Sequence, residues 1–177
     1  IQTVSENTIY VGASDRRLAK FENLFPIPRG VSYNAYVILD EKTALLDTAD
    51  ASVGAQFLEN VAAALDGRKL DYLIVDHMEP DHAAMIEAVL VRWPDLRLVV
   101  NAKTLPMLKM YFPTDSAAFD DALVVKEGDT LDLGKHKLTF VMAPMVHWPE
   151  VMMTFDTTTG TLFSADAFGT FGALEGA

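Results

Sequence analysis

Apolar and polar positions alternate with a changing period along this chain, and each change of period marks out an element. In the first third, TIYVGA (8–13), SYNAYVILD (32–40) and TALLDTAD (43–50) are rich in β-branched and aromatic residues and read as strands. The last two are joined by a tight turn at Glu41 and Lys42. Between the first two, FENLFPIPRG (21–30) holds two prolines and a glycine and reads as a loop. Over 51–66 the period becomes helical: Val53, Phe57, Leu58, Val61 and Leu65 share a face, with Asp50 or Ser52 placed to cap the start.

LDYLIVD (70–76) is a continuous apolar run of strand length, the pattern of a strand covered on both faces. AAMIEAVLVRW (83–93) predicts a helix, RLVVNA (97–102) a strand, and KTLPMLKMYF (103–112) a short helix that tolerates Pro106 in its first turn. Strands return in ALVVKEGDTLDL, HKLTFVMAPM, VMMTFD and TLFSADAF, the last two joined by a TTTG turn. Met142, Met145, Met152 and Met153 fall in these apolar stretches and read as core filler. Strand and helix in alternation, then a run of strands, predict a layered α/β protein.

Composition narrows the picture. The chain has 177 residues, half of them hydrophobic, which fits one domain with a sizeable core and excludes disorder. A formal net charge of -11 argues against an electrostatic nucleic-acid partner or an acidic membrane surface. With no cysteine, neither a disulfide nor a thiolate metal site is available, and a reducing compartment is the natural setting. No apolar run approaches the ~20 residues that span a bilayer, so the expected location is the cytoplasm.

Candidate chemistry gathers directly after the run LDYLIV. Asp76, His77, Glu79, Asp81 and His82 fall within residues 76–82, at the end of a strand, where α/β folds place ligand-binding groups. His77, Glu79 and Asp81 alternate along an extended loop that Pro80 stiffens, and His82 falls in the first turn of the next helix. Crowded carboxylates repel unless a cation lies among them. Imidazole plus carboxylate without thiolate suits iron, manganese or zinc. His147 and Asp166 close two later strands in the same manner, which would bring three loops to one rim of a sheet. His136, in a turn flanked by Lys135 and Lys137, is expected on the solvated surface and outside the site.

HMEPDH, with HWPE and SADAFG further on, resembles the metallo-β-lactamase-like half of the flavodiiron proteins, also called A-type flavoproteins. FENLFPIPRGVSYNAYVI, DEKTALLDT, KEGDTLDLGKHKLTFVMAPMVHWPE and LFSADAFGTFGAL extend the resemblance over nearly the whole chain. Hydrolases of the same fold carry histidine where Glu79 stands, and a carboxylate there favours iron that must reach the ferric state. The resemblance implies an αββα sandwich, of which the chain supplies roughly the first half to two-thirds. It implies two iron ions: His77, Glu79 and His147 on one, Asp81 and His82 on the other, and Asp166 bridging. It further implies reduction of dioxygen to water or of nitric oxide to nitrous oxide. Electrons would pass through FMN from a rubredoxin-like or flavin-linked donor, with Trp148 near the flavin of a neighbouring subunit.

The flavodoxin-like domain that carries FMN has no counterpart in residues 1–177, which read as one di-iron domain incomplete at its C-terminal side. A companion polypeptide completing the fold, within a homodimeric assembly, is the corresponding expectation. The rival function is a binuclear metal-dependent hydrolase of the same fold, which Glu79 disfavours; a non-catalytic module without metal is the remaining alternative.

Overall fold

The computed structural model describes residues 1–112 and 117–174; residues 113–116, and 175–177 at the end of GALEGA, lie outside the described residues. β1 (Gln2–Ser5) and β2 (Thr8–Tyr10) open the chain as an antiparallel pair. β3 (Ala13–Asp15) pairs with β6 (Val31–Tyr33), and β4 (Lys20–Phe21) with β5 (Phe25–Pro26), inside the stretch that the prolines marked as a loop. The expected first strand is thus broken at Gly12, where a Cβ would run into the carbonyl oxygen of Tyr33. The second is broken between Tyr33 and Tyr36, so that β7 (Tyr36–Leu39) alone joins the main sheet.

β8 (Thr43–Leu46) is followed by a 3₁₀ turn over Ala51–Val53 and by α1 (Gly54–Leu65). Asp50 caps that turn, its carboxylate accepting the Ser52 N–H at 2.8 Å. β9 (Tyr72–Ile74), α2 (Pro80–Ala83), α3 (Ile86–Arg92), β10 (Arg97–Asn101), α4 (Thr104–Tyr111) and α5 (Ala117–Asp120) come next. The single helix expected over 83–93 is therefore two short ones, the first beginning at Pro80 directly after Glu79. β11 (Leu123–Val125), β12 (Thr130–Asp132), β13 (Lys137–Met142), β14 (Met152–Asp156) and β15 (Thr161–Phe163) complete the described chain.

Seven strands form the main sheet in the order β1-β2-β7-β8-β9-β10-β11, antiparallel up to β8 and parallel from β8 to β11. β12 to β15 form a second, antiparallel sheet. Two cores result. On one face of the main sheet the helices bury Phe57, Val61, Leu65, Ile86 and Leu108 against Leu45, Leu73, Leu98 and Val100. On the other face, Ile38, Leu46, Ile74 and Val99 meet Leu138, Phe140 and Met152 of the second sheet. Both faces of β8 and β9 are therefore covered, as their continuous apolar runs required. Full burial of one such side chain contributes about 1.5–3 kcal/mol.

The layers run helix, sheet, sheet. The outer face of the second sheet, which bears Val141, Met153, Phe155 and Leu162, is covered by no helix among the described residues. Three expectations fail here. Met153 is not core filler, because alternation along β14 turns Met152 inward and leaves Met153 half-buried on that outer face. Met145 is not core: β13 ends at Met142, Pro144 follows, and Met145 stands 70 % exposed in a turn at φ 69°. His136 is not a surface residue either. It is fully buried, because period-2 alternation puts it on the same inward face as Leu138 and Phe140. Its Nδ1 lies 2.7 Å from Asp156 Oδ2, and its backbone N–H donates to Asp40 in the β7–β8 turn.

Candidate metal centre

The predicted site residues converge where the ends of β8 and β9 meet loops of the second sheet. Beyond β9, Asp76 donates its backbone N–H to Asp47, and its carbonyl accepts from Met152 of β14 at 3.0 Å, tying the two sheets together. His77 and Glu79 follow in extended backbone, and Glu79 is the N-cap residue of α2 with Pro80 just after it. One turn of helix then brings His82 back towards the strand ends, its N–H bonded to the Glu79 carbonyl at 2.9 Å. His147 comes from the turn between β13 and β14, and Asp166 from the tight turn after β15, which the Gly169 N–H closes onto the Asp166 carbonyl.

All three ring Nε2 atoms aim inward. His77 Nε2 lies 3.1 Å from Glu79 Oε2 and 3.4 Å from Asp166 Oδ2. His147 Nε2 lies 2.8 Å from the same Glu79 oxygen and 3.1 Å from the same Asp166 oxygen. His82 Nε2 faces the other oxygen of Asp166 at 2.7 Å and Asp81 Oδ2 at 3.7 Å. Two groups emerge, His77-Glu79-His147-Asp166 and Asp81-His82-Asp166, with ligand atoms in each within 4.8 Å of one another. Asp166 belongs to both.

The outward ring nitrogens have partners that the sequence reading missed. His77 Nδ1 lies 2.8 Å from Glu150 Oε1, which also accepts the Met78 N–H. His82 Nδ1 lies 2.9 Å from Asp47 Oδ2. Both carboxylates are buried. Each holds the ring so that Nε2 faces the centre, the arrangement of metal-binding histidines backed by an outer carboxylate. Glu150 stood in the HWPE motif and Asp47 ended a fully buried strand, as Asp76 does; that shared position was the available signal.

The site's electrostatics call for positive charge. Burial pushes the pKa of His77 down, but its bonds to Asp166, Glu150 and Glu79 outweigh this and carry it up to about 11. In His82, burial is likewise overcome, by Asp166 and Asp47, giving about 10. For Asp166, burial acts upward, yet the two imidazoles hold its carboxyl well below the usual range. Asp81 is raised to about 6 by burial, and its Oδ1 is buried without a hydrogen-bond partner. Glu79 is lowered, chiefly by His77. Protons on His77 and His82 thus supply the charge that cations would supply, and Asp81 keeps one buried carboxylate oxygen without a hydrogen-bond partner. The donor set fits a pair of divalent or trivalent ions that prefer oxygen and imidazole.

The centre opens into a cavity of about 440 Å³ walled by Phe21, Phe25, Tyr33 and Phe171, with Glu22 facing Glu79 at its edge. Trp148 packs edge-on against His77, with ring centroids 5.3 Å apart.

The chain is similar to known proteins over most of its length. Residues 31–176 match the family described as ODP family beta lactamase. The anaerobic nitric oxide reductase flavorubredoxin of Klebsiella pneumoniae is 38 % identical over 168 residues, which is 94 % of this chain and 34 % of that protein. The rubredoxin oxygen:oxidoreductase of Desulfovibrio gigas superposes with a TM-score of 0.92 at 32 % identity, over 98 % of this chain and 43 % of that one. The flavodiiron protein of Giardia intestinalis gives 0.89 at 27 % identity, over 98 % and 42 %. The chain spans about a third of the length of the curated relative described above. On the family match and these likenesses, the chain belongs to the ODP beta-lactamase family, whose fold it shares with the flavodiiron proteins.

Proposed function

We propose that residues 1–177 form the di-iron domain of a flavodiiron-type oxidoreductase that reduces dioxygen to water, nitric oxide to nitrous oxide, or both. The observation that carries this reading is Asp166, a single carboxylate shared by two ligand groups, one of which sets the carboxylate Glu79 between two imidazoles. The names of the relatives, a nitric oxide reductase and an oxygen oxidoreductase, support it.

In this reading His77, Glu79 and His147 would hold one iron and Asp81 and His82 the other, with Asp166 available to both. When bound, two ferrous ions held by these residues would supply a pair of electrons together, without a one-electron radical product. The chain's own residues do the rest. Glu150 and Asp47 hold His77 and His82 with Nε2 inward, and Glu79 adds the negative charge that favours the oxidised metal. Phe21, Phe25 and Phe171 form an apolar wall beside the centre. Trp148 is the residue we place beside an FMN carried by a neighbouring subunit of a homodimer, with a rubredoxin-like or flavin-linked donor behind it. No described helix is long and apolar enough to cross a membrane, and a cytoplasmic setting is part of the same reading.

Metal quantitation on the full-length protein, with anaerobic assays of both gases, is the test. Two irons per chain and donor-dependent consumption of dioxygen or nitric oxide are expected. Two zincs with turnover of an ester or lactam would replace this reading by hydrolysis.

A further inference from the structure

We infer that Glu22 is a charge filter at the mouth of the centre: its carboxylate turns small anions away and lets uncharged diatomic molecules pass. The inference rests on the di-iron reading above and adds to it a residue that sets specificity.

Glu22 is exposed at the tip of the hairpin joining β4 to β5, where the Leu24 N–H closes onto the Phe21 carbonyl at 2.9 Å. Glu22 and Asn23 are both left-handed there, at φ 49° and 57°, the pattern of a turn that favours asparagine, aspartate and glycine. Asn23 suits its place. Glu22 does not, because its side chain is too long for the local hydrogen bonds that ease shorter polar residues into this backbone. Strain of this kind beside a site is a reason to ask what the side chain does there.

The turn aims the Glu22 carboxyl at that of Glu79, with His147 and Asp166 also within its field. Two cavities reach the centre: the apolar one of about 440 Å³, and a second of about 930 Å³ that holds Asp15, Arg17, Lys20 and Asp50. Both are lined by Phe21, Glu22, Tyr33, Glu79 and Asp81. Among the described residues, and candidate ligands apart, Glu22 is the one carboxylate common to the two walls and the only charged side chain on the apolar one.

Substrate charge gives the group a use. Cations seated between His77 and His82 would draw halide, nitrite or other small anions out of solution. Dioxygen, nitric oxide, nitrous oxide and water carry no charge. A carboxylate at the mouth therefore opposes the anions and leaves substrate and product alone.

Stopped-flow mixing of the iron-loaded full-length protein reads the filter, with azide as the anion and nitric oxide as the uncharged probe. Glu22→Gln keeps the shape of the side chain and removes its charge. Association of azide with the oxidised centre is expected to quicken roughly 3–10-fold in this variant at low salt. That gain should narrow as ionic strength is raised, because exposed charge is screened. Association of nitric oxide with the reduced centre should change by less than about twofold. Glu22→Asp keeps the charge and suits left-handed backbone, so it should hold azide back as the unsubstituted protein does. Unchanged azide association in Glu22→Gln, equal quickening of azide and nitric oxide, or a gain indifferent to salt overturns the inference and leaves the di-iron reading standing. An unsubstituted protein that takes up no pair of irons overturns both.

Discussion

At the scale of single residues, charge decides what the centre holds. Glu79 accepts from both His77 and His147, so Glu79→His would place three imidazoles around one point and remove a negative charge from it. From an equimolar mixture of iron and zinc, the variant is expected to shift its uptake towards zinc by roughly tenfold, read by elemental analysis of the purified protein. The raised pKa values of His77 and His82 carry a second expectation. Both rings are protonated at neutral pH without metal, so binding must expel those protons, and affinity is expected to rise with pH. Calorimetry in buffers of differing ionisation enthalpy would read the protons released. What was legible in the sequence at this scale was local: five ionisable residues just beyond a buried strand, and His147 and Asp166 beyond two later strands. Asp47 and Glu150 were harder to read, because a lone acid after a strand or in a turn also reads as a turn former. Only the fold puts each within hydrogen-bonding reach of a ligand ring.

At the scale of elements, hydrophobic period located the strands and helices and misplaced some of their ends. The helix expected over 83–93 starts instead at Pro80, directly after Glu79, and is interrupted at Ala84 and Met85 before Ile86–Arg92. His136 was misread because its lysine neighbours point outward, while alternation carries His136 inward with Leu138. The buried pair it makes with Asp156 fixes the start of β13, and its N–H to Asp40 fixes that turn to the main sheet. His136→Leu would leave the buried Asp156 carboxylate short of a partner, and a loss of about 1–3 kcal/mol is expected in urea denaturation. Metal content should not change, since the residue lies outside both ligand groups.

At the scale of the whole molecule, protonation and fold stability are linked. His77 and His82 have folded-state pKa values raised above the ordinary 6.5. Their contribution to the metal-free protein is therefore complete below about pH 6.5 and is lost as pH rises through about 10 and 11. Thermal melts of metal-free protein should fall across that window, while those of loaded protein hold, because cations replace the protons. The centre also straddles a seam, with His77, Glu79, Asp81 and His82 from the main sheet's side and His147 and Asp166 from the loops of the second sheet. Ions seated there act as rivets between two plates that otherwise adhere mainly through an oily layer and a few hydrogen bonds. Pulling the rivets should loosen one plate before the other: after chelation, amide exchange is expected to quicken first in β14 and β15, with β9 and β10 still protected. Equal quickening in both plates would mean that the oily layer alone carries the joint.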